Sequence, residues 1–69
     1  MVEPKVFWAF RLEDGVGLLT IHGQEHRIRT KQEGLLLINQ VDLTKMGDEE
    51  FAQWVVVINR LCRAALPSR

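Results

Sequence analysis

The fold of this chain is decided by residues 5–30, whose sequence is KVFWAFRLEDGVGLLTIHGQEHRIRT. Apolar and polar residues alternate along residues 5–12, and this alternation is typical of a β-strand with one buried face. The pair Asp14–Gly15 favours a type I′ hairpin turn, because both central residues of that turn need a positive φ angle. The sequence therefore predicts a hairpin that joins a strand at 5–12 to a strand at 16–22.

The hairpin turn fixes which residues of the two strands lie opposite each other. A two-residue loop places Phe10 opposite Leu19 and Trp8 opposite Ile21. Because successive side chains of a strand point to opposite faces, both pairs fall on the same side of the sheet. The sheet is therefore predicted to have an apolar inner face, formed by these four residues, and a more polar outer face.

A second turn extends the hairpin into a meander. Glycine is favoured at the first central position of a type II′ turn, so Gly23–Gln24 predicts a third strand at 25–30. In that register Leu19 lies opposite Ile28, and the inner face of the third strand continues the apolar surface of the first two.

The apolar run at 35–40 fits two structures, because periodicity does not separate them over so short a stretch. A fourth strand would follow a hairpin loop that ends at Gly34, whereas a short helix beginning near Gln32 would bury the same leucines. The glycine before the run, and the isoleucine and asparagine within it, favour the strand.

Residues 48–66 have the pattern of an α-helix. Asp48, Glu49 and Glu50 stand where the positive end of the helix dipole favours anions, and Pro67 cannot continue a helix. At about 100° per residue, one apolar stripe, widened by Trp54 and Leu61, is predicted to cover the sheet. Its members are Phe51, Val55, Ile58, Cys62 and Ala65.

Together these elements predict a single small domain over residues 1–69, of the α+β class. We expect a three- to four-stranded antiparallel β-meander packed against one C-terminal α-helix. A domain of this length buries only about 60% of the surface that its unfolded chain exposes, so its margin of stability is thin.

A second copy of the chain would relieve this shortage of buried surface. The predicted helix is more apolar than one sheet requires, since apolar residues extend beyond the stripe that covers the sheet. We therefore expect a homo-oligomer, most simply a homodimer. The candidate residues of the dimer interface are Val56, Val57, Arg60, Ala64 and Leu36.

The composition predicts a cytoplasmic protein. Nine Lys and Arg residues balance nine Asp and Glu residues, so no net field draws the chain to nucleic acid or to an anionic membrane. Cys62 is the only cysteine, which favours a reducing compartment. Glu3 and Pro4 do not fit a signal peptide, and no apolar run approaches the roughly 20 residues that cross a bilayer.

No group of residues has the spacing of a catalytic or metal site. The predicted register puts His22 on the outer face and His26 on the inner face, so these histidines are not expected to share a metal. Cys62 is expected in the core, and the acidic run at 48–50 is explained by the helix dipole. We expect no catalytic residue, no metal and no cofactor.

The outer face of the sheet carries the residues that we expect to bind a partner. In the predicted register Arg11, Leu18 and Arg29 form one cross-strand row. Arginine and aromatic residues are enriched among the residues that dominate protein interfaces. The predicted partner-binding residues are Phe7, Arg11, His22, Arg27 and Arg29.

These observations predict a small non-enzymatic interaction protein, namely a regulator, an inhibitor or an assembly subunit that contacts another protein. The alternative is binding of single-stranded DNA or RNA, because arginines neutralise phosphates and rings stack on bases. Zero net charge and a single ring, Phe7, on the outer face favour the protein partner.

Overall fold

A computed structural model describes residues 6–69 and shows an α+β fold, as predicted. Three antiparallel strands lie in the order β1-β2-β3, and helices follow them in the chain. The first strand was expected to span residues 5–12, and in the structure it begins at Trp8. Residue 5 lies outside the described residues. The elements are β1 (Trp8–Glu13), β2 (Val16–Ile21), β3 (Gln24–Ile28), α1 (Lys31–Ile38), a short 3-10 helix (Leu43–Lys45) and α2 (Asp48–Arg63).

The first hairpin has the predicted turn and register. Asp14 and Gly15 both adopt positive φ angles, of 52° and 78°, as a type I′ turn requires. Phe10 pairs with Leu19, and Trp8 pairs with Ile21. The two-residue turn therefore specified the inner face of this hairpin correctly.

The second turn differs from the prediction by one position. It is centred on His22 and Gly23, whose φ angles are 50° and 83°, so it is also a type I′ turn with glycine in the second central place. Leu19 consequently pairs with His26 instead of Ile28. This slip moves the register by two residues, and because side chains alternate with a period of two, the residues within the strands keep their predicted faces. His22 is the exception, since it was predicted on the outer face but lies in the turn and contacts the helix residue Glu50.

The predicted fourth strand at 35–40 is wrong, and the helical alternative is correct. The start of α1 is a reciprocal cap, in which Thr30 Oγ1 accepts a hydrogen bond from the backbone N–H of Glu33 at 3.2 Å. The Glu33 carboxylate in turn accepts from the backbone N–H of Arg29 at 2.7 Å. A threonine followed three residues later by glutamate is the sequence signature of such a helix start, and it outweighs the strand propensity of the run.

The core lies between the inner face of the sheet and both helices. Gly34 of α1 makes close packing possible, because a Cβ there would lie 2.8 Å from Ile28 Cδ1 and 2.9 Å from Leu61 Cδ2. The C-terminal tail folds back to bury Leu66, and the carbonyl of Pro67 accepts from the backbone N–H of Lys31 at 2.9 Å. The buried cluster consists of Trp8, Phe10, Leu19, Ile28, Ile38, Val57, Leu61 and Leu66.

The predicted apolar stripe of α2 is partly correct. Leu61 is buried and both Trp54 and Ile58 pack against the core, as predicted, but the buried arc is rotated so that it includes Val57 and leaves part of the stripe in solvent. Val57 and Leu61 are 2% and 0% exposed, whereas Phe51 and Val55 are 47% and 37% exposed. Cys62, expected in the core, is also exposed, and the helix ends at Arg63 instead of residue 66. Two neighbours set this rotation, namely α1, which packs against Leu61, and strand β1, to which α2 is hydrogen bonded.

Gln53 provides that bond to β1. Its side-chain oxygen accepts from the backbone N–H groups of Phe7, at 2.7 Å, and Trp8, at 3.0 Å. The Trp8 N–H points away from β2, so Gln53 covers part of the exposed edge of the sheet.

We predict that Gly17→Ala destabilises the fold by about 1 to 3 kcal/mol, because the core beside Gly17 has no room for a methyl group. A Cβ at this position would lie 2.7 Å from Ile28 Cγ1, 3.0 Å from Phe10 Cε2 and 3.1 Å from Leu66 Cδ1. Urea denaturation of the two proteins measures the difference.

The control is Gly47→Ala, where nothing lies within 4 Å of an added Cβ. Because alanine is a poorer N-cap than glycine, this change should cost about 0.5 kcal/mol. Equal or greater stability of the Gly17→Ala variant relative to the parent would contradict the packing described here.

Candidate functional site

The outer face of the sheet is built around one leucine between two arginines. The observed register aligns Arg11, Leu18 and Arg27 in a cross-strand row. Leu18 is only 8% exposed although it lies on this face. The predicted row is therefore corrected, because the two-residue shift replaces Arg29 with Arg27.

The charges of this face are paired with opposite charges of the same face. Arg11 Nη2 lies 3.4 Å from a Glu13 carboxylate oxygen and 3.8 Å from one of Glu25, and all three side chains are largely exposed. The observed register also brings Glu25 opposite Thr20, where Arg27 was expected. The face is thus a mixture of both signs of charge and not a basic patch.

The other predicted partner-binding residues do not join Arg11 and Arg27. Arg29 lies beyond the end of β3, where its backbone N–H bonds to Glu33. Phe7 is half-buried against the core. His22 is exposed in the second turn but faces the helix residue Glu50. The structure therefore keeps Arg11 with Arg27, and it keeps Phe7 with His22, whose backbone N–H donates to the Phe7 carbonyl at 2.6 Å, but it places Arg29 apart from both pairs.

Glu50 connects the first strand, the second turn and the start of α2. One oxygen of its carboxylate, Oε2, accepts a hydrogen bond from Trp8 Nε1 at 2.9 Å and lies 2.7 Å from His22 Nε2. The Trp8 and His22 rings meet edge to face, with centroids 5.9 Å apart. The hydrogen bond from Trp8, followed by the contact with His22, lowers the pKa of Glu50 although its partial desolvation opposes this.

A cavity of about 450 Å³ opens beside this cluster. Both His22 and His26 border it, together with Glu50, Asp42 and Lys45. Asp42 is engaged in capping the 3-10 helix, and hydrogen bonds from Thr44 lower the pKa of its carboxyl group. Within residues 6–69 no three His, Cys, Asp or Glu side chains come close enough to hold a metal ion.

An uncharged and exposed surface runs along the solvent side of α2. We call it the outer face of α2, and all of its members are exposed. Phe51 stacks on the half-buried ring of Trp54, with centroids 5.6 Å apart, and this contact fixes the phenyl ring at the edge of the surface. The outer face of α2 consists of Phe51, Ala52, Val55, Val56, Asn59 and Cys62.

Opposite charges flank this surface at the two ends of the helix. Asp48 and Glu49 lie in the first turn, and Arg60 and Arg63 lie in the last. All four side chains are exposed. Each pair complements the helix dipole at its own end, so the exposed side of α2 is acidic, then uncharged, then basic along its length.

Two of the predicted dimer-interface residues are core residues. Val57 is 2% exposed and is not available to a second chain, and Ala64 is half-buried against the core. The cause is the rotation of α2 described above. Val56 and Leu36 are 49% and 58% exposed, and Arg60 is exposed as well.

Sequence reasoning missed the members of the outer face that it had assigned to the core, namely Phe51, Val55 and Cys62. The sequence does indicate that some apolar residues of α2 are exposed, because they cover more than one arc of the helix. A single sheet can bury only one of these arcs. Which arc stays in solvent depends on neighbouring elements, and these are not encoded in the periodicity of the helix.

The chain matches no protein-family model, and neither a curated protein nor a solved structure is significantly similar to it. Among the described residues, no helix has the length and apolar character needed to cross a membrane. The surfaces described above therefore provide the basis for a proposed function.

We predict that Glu50→Gln lowers stability at pH 7 by about 1 kcal/mol, because it weakens a charge-assisted hydrogen bond with Trp8 and the contact with His22. Since folding lowers the pKa of Glu50, its carboxylate stabilises the fold above the usual glutamate pKa of about 4.3 and loses this effect as the pH falls through the folded value. The variant and the parent should therefore converge on acidification.

Urea denaturation from pH 7 to pH 3 measures this difference. Glu49→Gln is the matched control, since Glu49 is exposed and its substitution removes the same charge from the same turn of α2. A stability gap for Glu50→Gln that stays constant with pH would contradict the role assigned to the carboxylate.

Proposed function

We propose that this chain is a small non-enzymatic protein that acts by contact with protein, through the outer face of α2. The observation that supports this proposal is the exposure of Phe51 and Val55 on a helix that already buries another apolar arc. Fully burying a valine or phenylalanine side chain is worth about 1.5 to 3 kcal/mol, so a partner that covers this surface gains several such contributions. Regulators, inhibitors and assembly subunits all work by contact of this kind.

The outer face of α2 is a better protein-binding surface than the outer face of the sheet. On the sheet, Leu18 is already covered and Arg11 is near two carboxylates of its own face. A partner would have to compete with those internal contacts, and exposed ion pairs contribute little energy. On α2, the central residues are uncharged, so covering them costs little desolvation of charge.

The proposal that the protein is non-enzymatic is supported by the role of its most organised polar group. One oxygen of the Glu50 carboxylate is engaged by Trp8 and His22, and these contacts link three elements of the fold. Cys62 is an exposed thiol, which is compatible with the reducing cytoplasm that we propose as the location.

The mixed charges of the sheet give no support to nucleic-acid binding. We expect single-stranded oligonucleotides not to be retained at 50 mM salt, because binding to phosphates requires a basic surface. Retention that weakens steeply between 50 and 200 mM salt would instead favour the nucleic-acid alternative.

We predict that a photo-crosslinking amino acid at Asn59 forms adducts with protein in cells of the native host. Asn59 lies within the outer face of α2, so a bound protein would be in reach of the probe. The same probe at Arg27, which is exposed on the sheet, is the matched control and should give few adducts. Denaturing electrophoresis and mass spectrometry measure the adducts and identify the second chain.

Adducts at position 27 with none at position 59 would overturn the proposed surface in favour of the sheet. Absence of adducts at both positions would overturn the proposed function.

A further inference from the structure

We propose that the protein covering the outer face of α2 is a second copy of this chain, with the two α2 helices antiparallel. This inference rests on the proposed function and names the partner of the same surface. It is carried by the order of charge along the helix and by the uncharged residues between the charged ends.

Charge complementarity selects the antiparallel arrangement. In an antiparallel pair, the acidic residues Asp48 and Glu49 of each helix lie beside Arg60 and Arg63 of the other. Opposite charges then meet at both ends of the interface. In a parallel pair, acidic residues would meet acidic residues and arginines would meet arginines, which is unfavourable at both ends.

The two helix dipoles favour the same arrangement, since the positive end of each lies beside the negative end of the other. Both copies use the same residues, so the contact has twofold symmetry and closes after two chains.

The residues between the charged ends are suited to close contact across a twofold axis. With the axis between Val55 and Val56, these valines meet their counterparts in the second copy. Ala52 then lies near Asn59 of the second copy, and the small alanine allows the helices to approach closely. Helices that pack in this way are separated by 8 to 10 Å.

The proposed interface includes two of the residues that the sequence predicts for a dimer interface. Val56 lies at the centre of the contact, and Arg60 lies at its charged end. The other members of the contact, Phe51 and Val55, replace the core residues Val57 and Ala64 of the predicted set. The second copy thus supplies the burial that this small domain lacks for its exposed apolar side chains.

Charge exchange tests the arrangement directly. The acidic-end variant carries Asp48→Lys and Glu49→Lys, and the basic-end variant carries Arg60→Glu and Arg63→Glu. Sedimentation equilibrium of the full chain at tens of micromolar should give twice the chain mass for the parent and the chain mass for each variant alone. An equimolar mixture of the two variants should again give twice the chain mass.

The protein that carries all four substitutions tests whether charge across the interface causes the loss of the dimer in each variant. In an antiparallel pair it restores opposite charges at both ends, so we expect it to sediment as a dimer. The orientation itself is tested by the acidic-end and basic-end variants. In a parallel pair each of them would keep like charges together at both ends, as in the parent, and would sediment like the parent. A monomeric four-substitution protein, with far-UV circular dichroism like that of the parent, would overturn the antiparallel arrangement.

Val55→Glu tests the centre of the interface without touching the charged ends. Its side chain is exposed, so the variant should fold and sediment at the chain mass. Leu12→Glu is the control, because Leu12 is similarly exposed, at 42%, but lies in β1. It should keep the mass of the dimer.

A parent protein that is monomeric at tens of micromolar would overturn this inference, as would a dimer that survives Val55→Glu. The proposed function would survive that result if the probe at position 59 still captured a different protein. Absence of all adducts at position 59 would overturn both the proposed dimer and the proposed function.

Discussion

The attachment of the first half of α2 to strand β1 is the constraint on which the surface of this protein depends. Gln53 binds two backbone N–H groups at the edge of β1, and Glu50, one turn earlier in the helix, accepts from the Trp8 indole. Residues 50 and 53 are three apart and lie on the same side of the helix. With that side held against the sheet, Val57 and Leu61 follow into the core, and Phe51 and Val55 are left facing solvent.

The second helix layer completes this arrangement through a glycine. Gly34 allows α1 to lie against Ile28 and Leu61, so α1 and α2 together cover the sheet. A single covering helix would have been free to bury its widest apolar stripe. Two covering helices share the sheet, and an apolar arc of α2 is consequently exposed. The proposed protein-binding surface is thus a result of how the core is filled.

The strands and the start of each helix could be predicted from local sequence, because short-range geometry determines them. Asp14 and Gly15 accept positive φ angles and set the first register, and the acidic residues from Asp48 onward mark the start of α2. The predicted second turn lies one residue too far along the chain. Gly23 suits the first central position of a type II′ turn and the second of a type I′ turn, and His22 accepts the positive φ angle that the type I′ turn requires. The start of α1 is marked in the sequence by Thr30 and Glu33, although strand propensity alone predicts a strand there.

The sequence alone determined the α+β class, the two faces of the sheet and the position of the C-terminal helix, since turns, alternation and capping act over a few residues. Only the tertiary structure decided the rotation of α2 and the division of the predicted partner-binding set, in which Arg29 lies beyond the end of β3 and His22 contacts Glu50. The rotation follows from contacts between residues more than forty positions apart, such as Gln53 with Trp8. Helical periodicity shows that a helix has apolar arcs, but packing against neighbouring elements determines which arc is buried.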